Sequence, residues 1–219
     1  MSLGAVSILR RYLDAMASKA AHGYKAFCRQ DFVGIDYEII DCATYSPLPD
    51  YYAGILWGRL MGMEVIALHN NRSDHQLRTY AHCSASRGAR GELEPRGLTV
   101  LIINLDTRAQ SSITLALPTL RFPNVSIASV QAKMWILSGI GGTNSSRVAL
   151  NGVELKLVEQ ESKLPSMDGK LIEVEQLRMN DSMQLLLPPL APATIAFVEL
   201  ADIGEVVGCP SLSTALYDD

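Results

Sequence analysis

The hydrophobic pattern of this chain changes at Gly62, and the change limits the folds that are open to it. Before Gly62, two helix-like periods flank one run of β-favouring residues. After Gly62, seven short β-favouring runs follow one another with turn residues between them. The sequence therefore predicts an α/β segment over residues 1–62, an all-β domain over residues 63–212 and a tail over residues 213–219.

The first segment is predicted to be helix, strand, helix. Apolar residues at helical spacing predict an amphipathic helix that ends before Gly23. These apolar residues are Leu9, Tyr12, Leu13, Met16, Ala17 and Ala20. Aromatic residues and Val33 predict a strand over residues 24–33, closed by Gly34. A second helical period begins in the proline-containing run SPLPD and ends at Gly62.

One strand between two helices leaves the backbone N–H and C=O groups at both of its edges without hydrogen-bond partners. The segment must therefore pack against the all-β domain or against strands that this chain does not contain. Two architectures meet that requirement. One is the last helix, strand and helix of a (β/α)8 barrel followed by a β-sandwich, and the other is a compact α+β protein.

The all-β region carries two specific signals. Asn151-Gly152 separates two alternating apolar runs, and both residues tolerate the positive φ that a type I′ hairpin turn needs. The run ATIAFVEL at 193–200 is not cleanly polar on either face, which favours a strand buried on both sides. With the other runs, these signals predict a sandwich or a barrel.

Charge is distributed unevenly along the chain. The 219 residues include 19 basic and 23 acidic side chains, a formal net charge of −4, which argues against a general nucleic-acid binder. Residues 154–219 hold 12 acids and 4 bases, which leaves 11 acids and 15 bases, a net charge of +4, for residues 1–153. A polyanionic ligand would prefer this first part of the chain.

The sequence predicts neither a transmembrane segment nor a signal peptide. The longest apolar stretch, Leu185–Val198, is interrupted by prolines and is too short to span a bilayer. Arg10 and Arg11 stand where the apolar part of a signal peptide would have to run. Peripheral membrane association stays open.

Six stretches of the chain together resemble one protein family. They are KAFCRQDFVGIDYEIID, SPLPDYYAGILWGRLMGMEVIAL, LRTYAHCSAS, LTVLIINLD, VALNGVELKL and LAPATIAFVEL. The combination is similar to the C-terminal half of heparanase and the plant heparanase-like proteins, glycoside hydrolase family 79, over roughly residues 5–212. The resemblance implies a barrel that carries the chemistry and a β-sandwich that packs against it.

The resemblance implies no catalytic residue in this chain. The family is similar to other retaining glycosidases in using two glutamates, an acid/base and a nucleophile, and both lie upstream of the helix that opens this chain. Glu38, Glu64, Glu92 and Glu94 fall outside the family's catalytic motifs and are expected to be solvated acids. No metal or other cofactor is implied.

Part of a substrate-binding wall is carried over from the family. Gln30, at the end of the predicted strand, matches a residue beside the nucleophile, and its amide can bond to a sugar hydroxyl. Tyr37 matches the aromatic of a Gly-Asn-Tyr loop that holds the uronate carboxylate. This sequence has Ile35 and Asp36 in place of that glycine and asparagine, so Asp36 would bring a negative charge toward an acidic sugar. Gln30 and Tyr37 are equally consistent with anchoring the loop backbone.

The resemblance also pairs Cys83 with Cys209 in a disulfide, whereas Cys28 and Cys42 are predicted to be small buried apolar residues. The histidines do not have the spacing of metal ligands, so no metal site is predicted at His69, His75 and His82.

Four N-x-S sequons predict glycosylation, at Asn71, Asn124, Asn144 and Asn180. With the implied disulfide they suit a secreted, extracellular, lysosomal or vacuolar protein. Because no signal peptide is predicted, we expect a partial chain.

Two functions are compatible with these residues. The first is the C-terminal part of a retaining β-glucuronidase-type glycosidase that acts on uronic-acid glycosides of glycans and is inactive on its own. The second is a non-catalytic glycan-binding or structural β-sandwich module.

Overall fold

The computed structural model describes residues 5–29, 31–34, 38–70, 75–85, 97–118, 131–142, 145–157, 163–179, 182–201, 203 and 207–209. These residues form two helices and eleven strands. The helices are α1 (Ala5–Ala21) and α2 (Pro49–Leu60). The strands are β1 (Met61–Ile66), β2 (Leu77–Ser84), β3 (Leu98–Asn104), β4 (Ser111–Pro118), β5 (Ala132–Gly139), β6 (Val148–Leu150), β7 (Val153–Glu154), β8 (Lys170–Ile172), β9 (Glu175–Met179), β10 (Ser182–Leu190) and β11 (Ile195–Leu200).

The strands form two antiparallel sheets. The large sheet has eight strands in the order β1-β2-β3-β11-β5-β6-β7, with β8 also paired to β5. The small sheet has the order β4-β10-β9. Strand β11 lies at the centre of the large sheet, where all six of its residues pair with β3 on one side and with β5 on the other.

Both faces of the large sheet are covered. A helix-side core joins one face to α1 and α2, and a second core joins the opposite face to the small sheet. Successive residues of β11 alternate between the two, because Phe197 belongs to the helix-side core and Val198 to the other. The prediction of a strand buried on both faces is confirmed, and its lack of a polar face is explained.

Helix α1 is amphipathic, as predicted. Leu9, Leu13 and Ala17 are fully buried in the helix-side core. On the same helix, Asp14 accepts a hydrogen bond of 2.6 Å from the hydroxyl of Tyr80 in β2. The first segment therefore packs against the all-β region, which is one of the two arrangements expected from the sequence.

Helix α2 ends earlier than predicted. Pro49 occupies its first turn, but the helix stops at Leu60 and β1 begins at Met61, so the predicted domain boundary falls inside a strand. Gly62 is not a helix stop. A Cβ atom at Gly62 would lie 2.4 Å from the carbonyl oxygen of Cys83, so glycine is needed for the close approach of β1 and β2.

The strand predicted over residues 24–33 is wrong for the residues that the structure describes there. None of residues 24–29 and 31–33 lies in a strand, and Val33 makes one isolated parallel bridge with Ile40. Aromatic and β-branched residues favour a strand only where a neighbouring strand receives the backbone hydrogen bonds. The assignment of residues 1–62 to a barrel accordingly stays a prediction.

The hairpin prediction is confirmed, whereas one long strand was missed. Asn151 and Gly152 have φ values of 50° and 83°, and Leu150 pairs with Val153 across the turn. Strand β10 contains Pro188-Pro189, which argues against a strand by sequence; the structure accommodates it with a register shift between Leu187 and Leu190. No helix among the described residues is long and apolar enough to cross a membrane.

Candidate functional site

The segment that follows α1 is held against that helix by aromatic rings and cations. The rings of Tyr12 and Phe27 meet edge to face at 5.7 Å. The guanidinium carbon of Arg29 lies 4.9 Å from the Tyr12 ring centre, and the ammonium of Lys19 lies 4.8 Å from that of Phe27. These contacts position the backbone that leads to Gln30.

An ion pair anchors the same segment to α2. Arg29 donates a hydrogen bond through Nη1 to Oδ2 of Asp50, in the first turn of α2, and Asp50 is only 4% exposed. Burial raises the pKa of Asp50 above its ordinary value, although the charge and hydrogen bond of Arg29 act in the opposite direction. The pair therefore fixes the position of Arg29 more than it lowers the energy of the carboxylate.

The loop that the resemblance assigns to uronate recognition is tied at both ends by one carboxylate. Glu38 accepts a hydrogen bond of 2.8 Å from the backbone amide of Gly34 and one of 3.1 Å from that of Cys42. Asp41 in turn accepts bonds from the amides of Ala43 and Thr44. The two acids thus act on local backbone, and Glu38 links the amides of Gly34 and Cys42.

Several sequence-predicted residues lie outside the described part of the chain. The three substrate-wall residues are Gln30, Asp36 and Tyr37, and the four sequon asparagines are Asn71, Asn124, Asn144 and Asn180. Their described neighbours include Asp31, whose Oδ2 atom is buried and has no hydrogen-bond partner. The structure therefore describes residues that are close in sequence to the predicted wall, namely Arg29, Gly34 and Glu38, and the wall itself stays a prediction.

The four cysteines divide into a bonded pair and two free thiols. Cys83 in β2 and Cys209 form a disulfide, with their Cα atoms 5.6 Å apart. Cys28 and Cys42 are free and exposed, so the prediction that they are buried is wrong. The physical reason is local: Cys28 lies on the segment that joins no sheet, and Cys42 lies in a turn over residues 42–44.

The histidines have different environments. His69 and His75 are exposed, whereas His82 in β2 is 3% exposed and donates from Nδ1 to the carbonyl oxygen of Gly62 at 2.6 Å. Burial lowers the pKa of His82, more than the Gly62 carbonyl and the charge of Glu64 raise it. The described residues contain no group of three or more metal-ligating side chains.

A cleft of about 110 Å³ lies beside His82. It is bounded by the end of α1, by residues 24–27, by Trp57 of α2 and by β1. Sequence reasoning missed this cleft, and it also missed Asp50 as the partner of Arg29. Neither feature has a motif, because each joins single side chains from separate elements that meet only after folding.

The chain is similar in sequence to heparanase-like proteins and to a β-D-glucuronidase. Heparanase-like protein 1 of Arabidopsis thaliana is 39% identical over 105 residues, which cover 48% of this chain and 18% of that protein. Baicalin-β-D-glucuronidase of Scutellaria baicalensis is 28% identical over 190 residues, 86% of this chain and 31% of that protein. Inactive heparanase-2 of Mus musculus is 29% identical over 194 residues, 82% of this chain and 29% of that protein. The chain thus spans less than a third of the length of these relatives.

The fold has a counterpart among solved structures. The glycoside hydrolase family 30 subfamily 8 xylanase Xyn30A of Clostridium acetobutylicum matches 92% of this chain and 40% of its own, with a TM-score of 0.51 and 11% identity. At that identity the likeness concerns the fold alone. No family model matches the sequence. From the sequence relatives we conclude that this chain is homologous to the heparanase-like proteins and to baicalin-β-D-glucuronidase, of glycoside hydrolase family 79.

Proposed function

We propose that this chain is the C-terminal part of a family 79 glycosidase that hydrolyses uronic-acid glycosides with retention of configuration. The observation that carries the proposal is the similarity to a β-D-glucuronidase over 86% of the chain. The acid/base and nucleophile glutamates would lie on a preceding barrel, of which residues 1–62 form the last part. The two-sheet region would be the β-sandwich that supports that barrel.

In this proposal the chain positions substrate and does not perform the chemistry. Gln30 would bond to a sugar hydroxyl, and Tyr37 would contact the uronate end of the substrate. The ion pair of Arg29 with Asp50 fixes the residue that precedes Gln30, and Glu38 bonds to the amides of Gly34 and Cys42, which lie before and after Tyr37 in the sequence. Both anchors would matter because productive geometry must be held to within a fraction of an ångström.

The substitutions at Ile35 and Asp36 would change substrate preference. A carboxylate at Asp36, beside the carboxylate of a bound uronate, costs on the order of 1–3 kcal/mol at intermediate dielectric. A branched side chain at Ile35 narrows the approach to backbone amides that glycine would leave open. We expect a weaker preference for acidic sugars than in family members with Gly-Asn-Tyr.

The proposed parent protein passes through an oxidising compartment. The Cys83–Cys209 disulfide is consistent with secretion or with a lysosomal or vacuolar location. Glycosylation at the four sequons and a uronic-acid-containing glycan as the partner belong to the same proposal. Peripheral attachment to a membrane would follow from binding such glycans at a cell surface.

The decisive experiment replaces the matching C-terminal region of baicalin-β-D-glucuronidase with this chain. The hybrid should hydrolyse an aryl glucuronide, and Gln30→Ala should lower its kcat/KM by about tenfold or more. The 219-residue chain alone should show no turnover, because no residue in it matches a catalytic glutamate. Turnover by the chain alone, or an inactive hybrid that is folded, would contradict the proposal.

The selectivity claim has its own test. Residues 29–41 of this chain are grafted into an active family enzyme, and kcat/KM is measured on an acidic and on a neutral glycoside. The loss should be greater on the acidic substrate, with Asp36→Asn restoring part of it and Ile35→Gly the remainder. Equal losses on both substrates would mean that the grafted loop is misfolded and that Asp36 has no part in selection.

The alternative is a non-catalytic glycan-binding or structural module. One observation favours it, namely 29% identity over 82% of the chain to a protein named inactive heparanase-2. In that case the folded hybrid would be inactive, and the isolated chain would still bind a uronic-acid oligosaccharide.

A further inference from the structure

Strand β5 pairs with two different strands along one edge, and Asn151 fills the gap between them. Residues 137–139 of β5 pair with β6, and residues 132–134 pair with β8. Between these two stretches, the backbone amide of Ile136 donates to Oδ1 of Asn151 at 2.9 Å, and Nδ2 of Asn151 donates to the carbonyl of Met134 at 3.2 Å. The backbone amide of Asn151 adds a bond of 2.8 Å to the carbonyl of Ile136. One asparagine therefore docks the turn between β6 and β7 on β5.

The residue after Asn151 makes this asparagine chemically reactive. Asn151-Gly152 is the only Asn-Gly pair in the sequence, and Gly152 is exposed and has no side chain to shield its backbone nitrogen. That nitrogen can lose its proton to solvent and attack Cγ of Asn151. The Cγ–Nδ2 bond then breaks, and Nδ2 takes up a proton and leaves as ammonia. Water opens the resulting five-membered imide at either carbonyl, so asparagine and water give aspartate or isoaspartate and ammonia.

Docking on β5 opposes this reaction. The two side-chain hydrogen bonds hold the amide group of Asn151 against β5, so its Cγ reaches the nitrogen of Gly152 only after both bonds break. The backbone is fixed as well, because φ values of 50° and 83° at these two residues belong to a closed type I′ turn. Lys170 of β8 also donates from Nζ to the carbonyl of Asn151 at 3.2 Å. Ring closure therefore requires the turn to leave β5 first.

We propose that Asn151 is a deamidation site that reacts only while the turn between β6 and β7 is open, and that the reaction then prevents the turn from docking again. Aspartate keeps the acceptor for Ile136 but has no donor for the carbonyl of Met134, so two oxygen atoms would face each other where a 3.2 Å bond was. Isoaspartate adds a methylene group to the backbone of a two-residue turn, which breaks the pairing of Leu150 with Val153. The inference does not rest on the glycosidase proposal, because no step of glycoside hydrolysis is involved.

A turn that cannot dock disturbs the core beneath the two helices. Val148 and Leu150 of β6 are buried in the helix-side core, as are Trp135 and Leu137 of β5. Because these residues fill the space between the large sheet and the helices, an undocked turn leaves part of their packing unmade. Deamidation therefore converts a transient opening into a lasting loss of stability on this side of the large sheet.

The first test compares the rate of deamidation in the folded 219-residue chain with the rate in a free peptide of residues 148–156. Trypsin releases the same peptide from the chain by cutting after Arg147 and after Lys156. Both samples are incubated at mildly alkaline pH, and aspartate and isoaspartate at position 151 are quantified by mass spectrometry. Breaking the three hydrogen bonds to β5 predicts a rate about tenfold or more slower in the folded chain. Unfolding the chain in urea should bring the rate to that of the peptide.

Hydrogen exchange measures the opening itself. The amide of Ile136 donates to Asn151, so its exchange, followed by NMR, reports the opening that releases the asparagine side chain. The factor by which folding slows deamidation should match the protection factor of the Ile136 amide to within about threefold. Low concentrations of urea should lower both factors in parallel.

A variant reproduces the aspartate product. Asn151→Asp should speed exchange of the Ile136 amide about tenfold, because the donor to the carbonyl of Met134 is gone. Asn70→Asp makes the same chemical change at a side chain that donates to the carbonyl of Leu77, outside β5, and should leave exchange at Ile136 unchanged. If Asn151→Asp does not fold, the comparison of deamidation with exchange in the wild-type chain still decides.

Three results would overturn the proposal. Deamidation as fast in the folded chain as in the peptide would mean that docking does not restrain Asn151. A slowing of deamidation that disagrees with the protection of Ile136, in either direction, would mean that the reaction does not pass through the opening of the turn. Unchanged exchange at Ile136 in a folded Asn151→Asp variant would mean that the product docks as well as asparagine does.

Discussion

Strand β11 and the segment over residues 24–34 contain similar residues, but β11 is a buried strand with paired neighbours and the described residues of the segment are largely exposed and unpaired in any sheet. Both are rich in aromatic and β-branched side chains. Phe197 of β11 is fully buried between two paired strands, whereas Phe32 is 58% exposed and its neighbour Val33 makes a single bridge. The difference shows that residues with high β propensity form a strand where a neighbouring strand receives their backbone hydrogen bonds, and do not form one where no such neighbour is present.

The largest expected effect comes from the same substitution in the two regions. Phe197→Ala should lower the free energy of unfolding by about 3–5 kcal/mol, because it leaves a cavity in the helix-side core. Phe32→Ala should change it by less than about 0.5 kcal/mol, because the ring is already largely hydrated. Urea denaturation followed by far-UV circular dichroism measures both. Similar losses for the two variants would mean that residues 24–34 pack more tightly than their exposure indicates.

A second comparison is between a disulfide-bonded cysteine in the sheet region and a free cysteine in the segment over residues 24–34. Cys209→Ala removes a disulfide that closes a sequence separation of 126 residues, and it should cost about 2–4 kcal/mol. Cys28→Ala, in the exposed segment, should stay within about 0.5 kcal/mol of the wild type. Thermal melting under non-reducing conditions compares them, and peptide mapping confirms the pairing. Two free thiols at positions 83 and 209 after oxidative refolding would refute the bond.

The smallest expected effect depends on pH and concerns the ion pair between Arg29 and Asp50, which anchors the segment over residues 24–34 to α2. The pKa of Asp50 is raised in the folded chain, so the folded state holds this proton more tightly than the unfolded state. The resulting stability is present below the ordinary pKa of about 3.8 and is lost as pH rises through the higher folded value. It amounts to about 1.4 kcal/mol for each unit by which the pKa is raised.

The variant Asp50→Asn cannot titrate and isolates this contribution. The difference in unfolding free energy between wild type and Asp50→Asn should move against the wild type as pH increases above about 3.8. Asp168→Asn, at an exposed position, serves as the matched control. Parallel pH profiles for wild type and Asp50→Asn would show that burial does not raise the pKa of Asp50.

Hydrophobic periodicity located most of the elements. It identified α1, the turn at Asn151-Gly152 and the strand buried on both faces, because each depends on the pattern of residues that are close together in the chain. It failed at β10, where two prolines obscured a strand whose ladder tolerates a register shift. It also misread Gly62 as a helix stop, since the constraint on that glycine is the carbonyl of Cys83, twenty-one residues away.

The candidate site also has parts that the sequence predicted and parts that only the structure revealed. Pattern and resemblance named Gln30, Asp36 and Tyr37, because the bonds that these side chains can make follow from residue type alone. Only packing brought Arg29 to Asp50 and placed an unpaired nitrogen of His82 beside Trp57. Local sequence specifies which backbone conformations and buried stripes are available, because those depend on neighbours along the chain. Which partners meet, and which polar atoms are left without one, depends on contacts between distant residues that form only when the two helices settle on the large sheet.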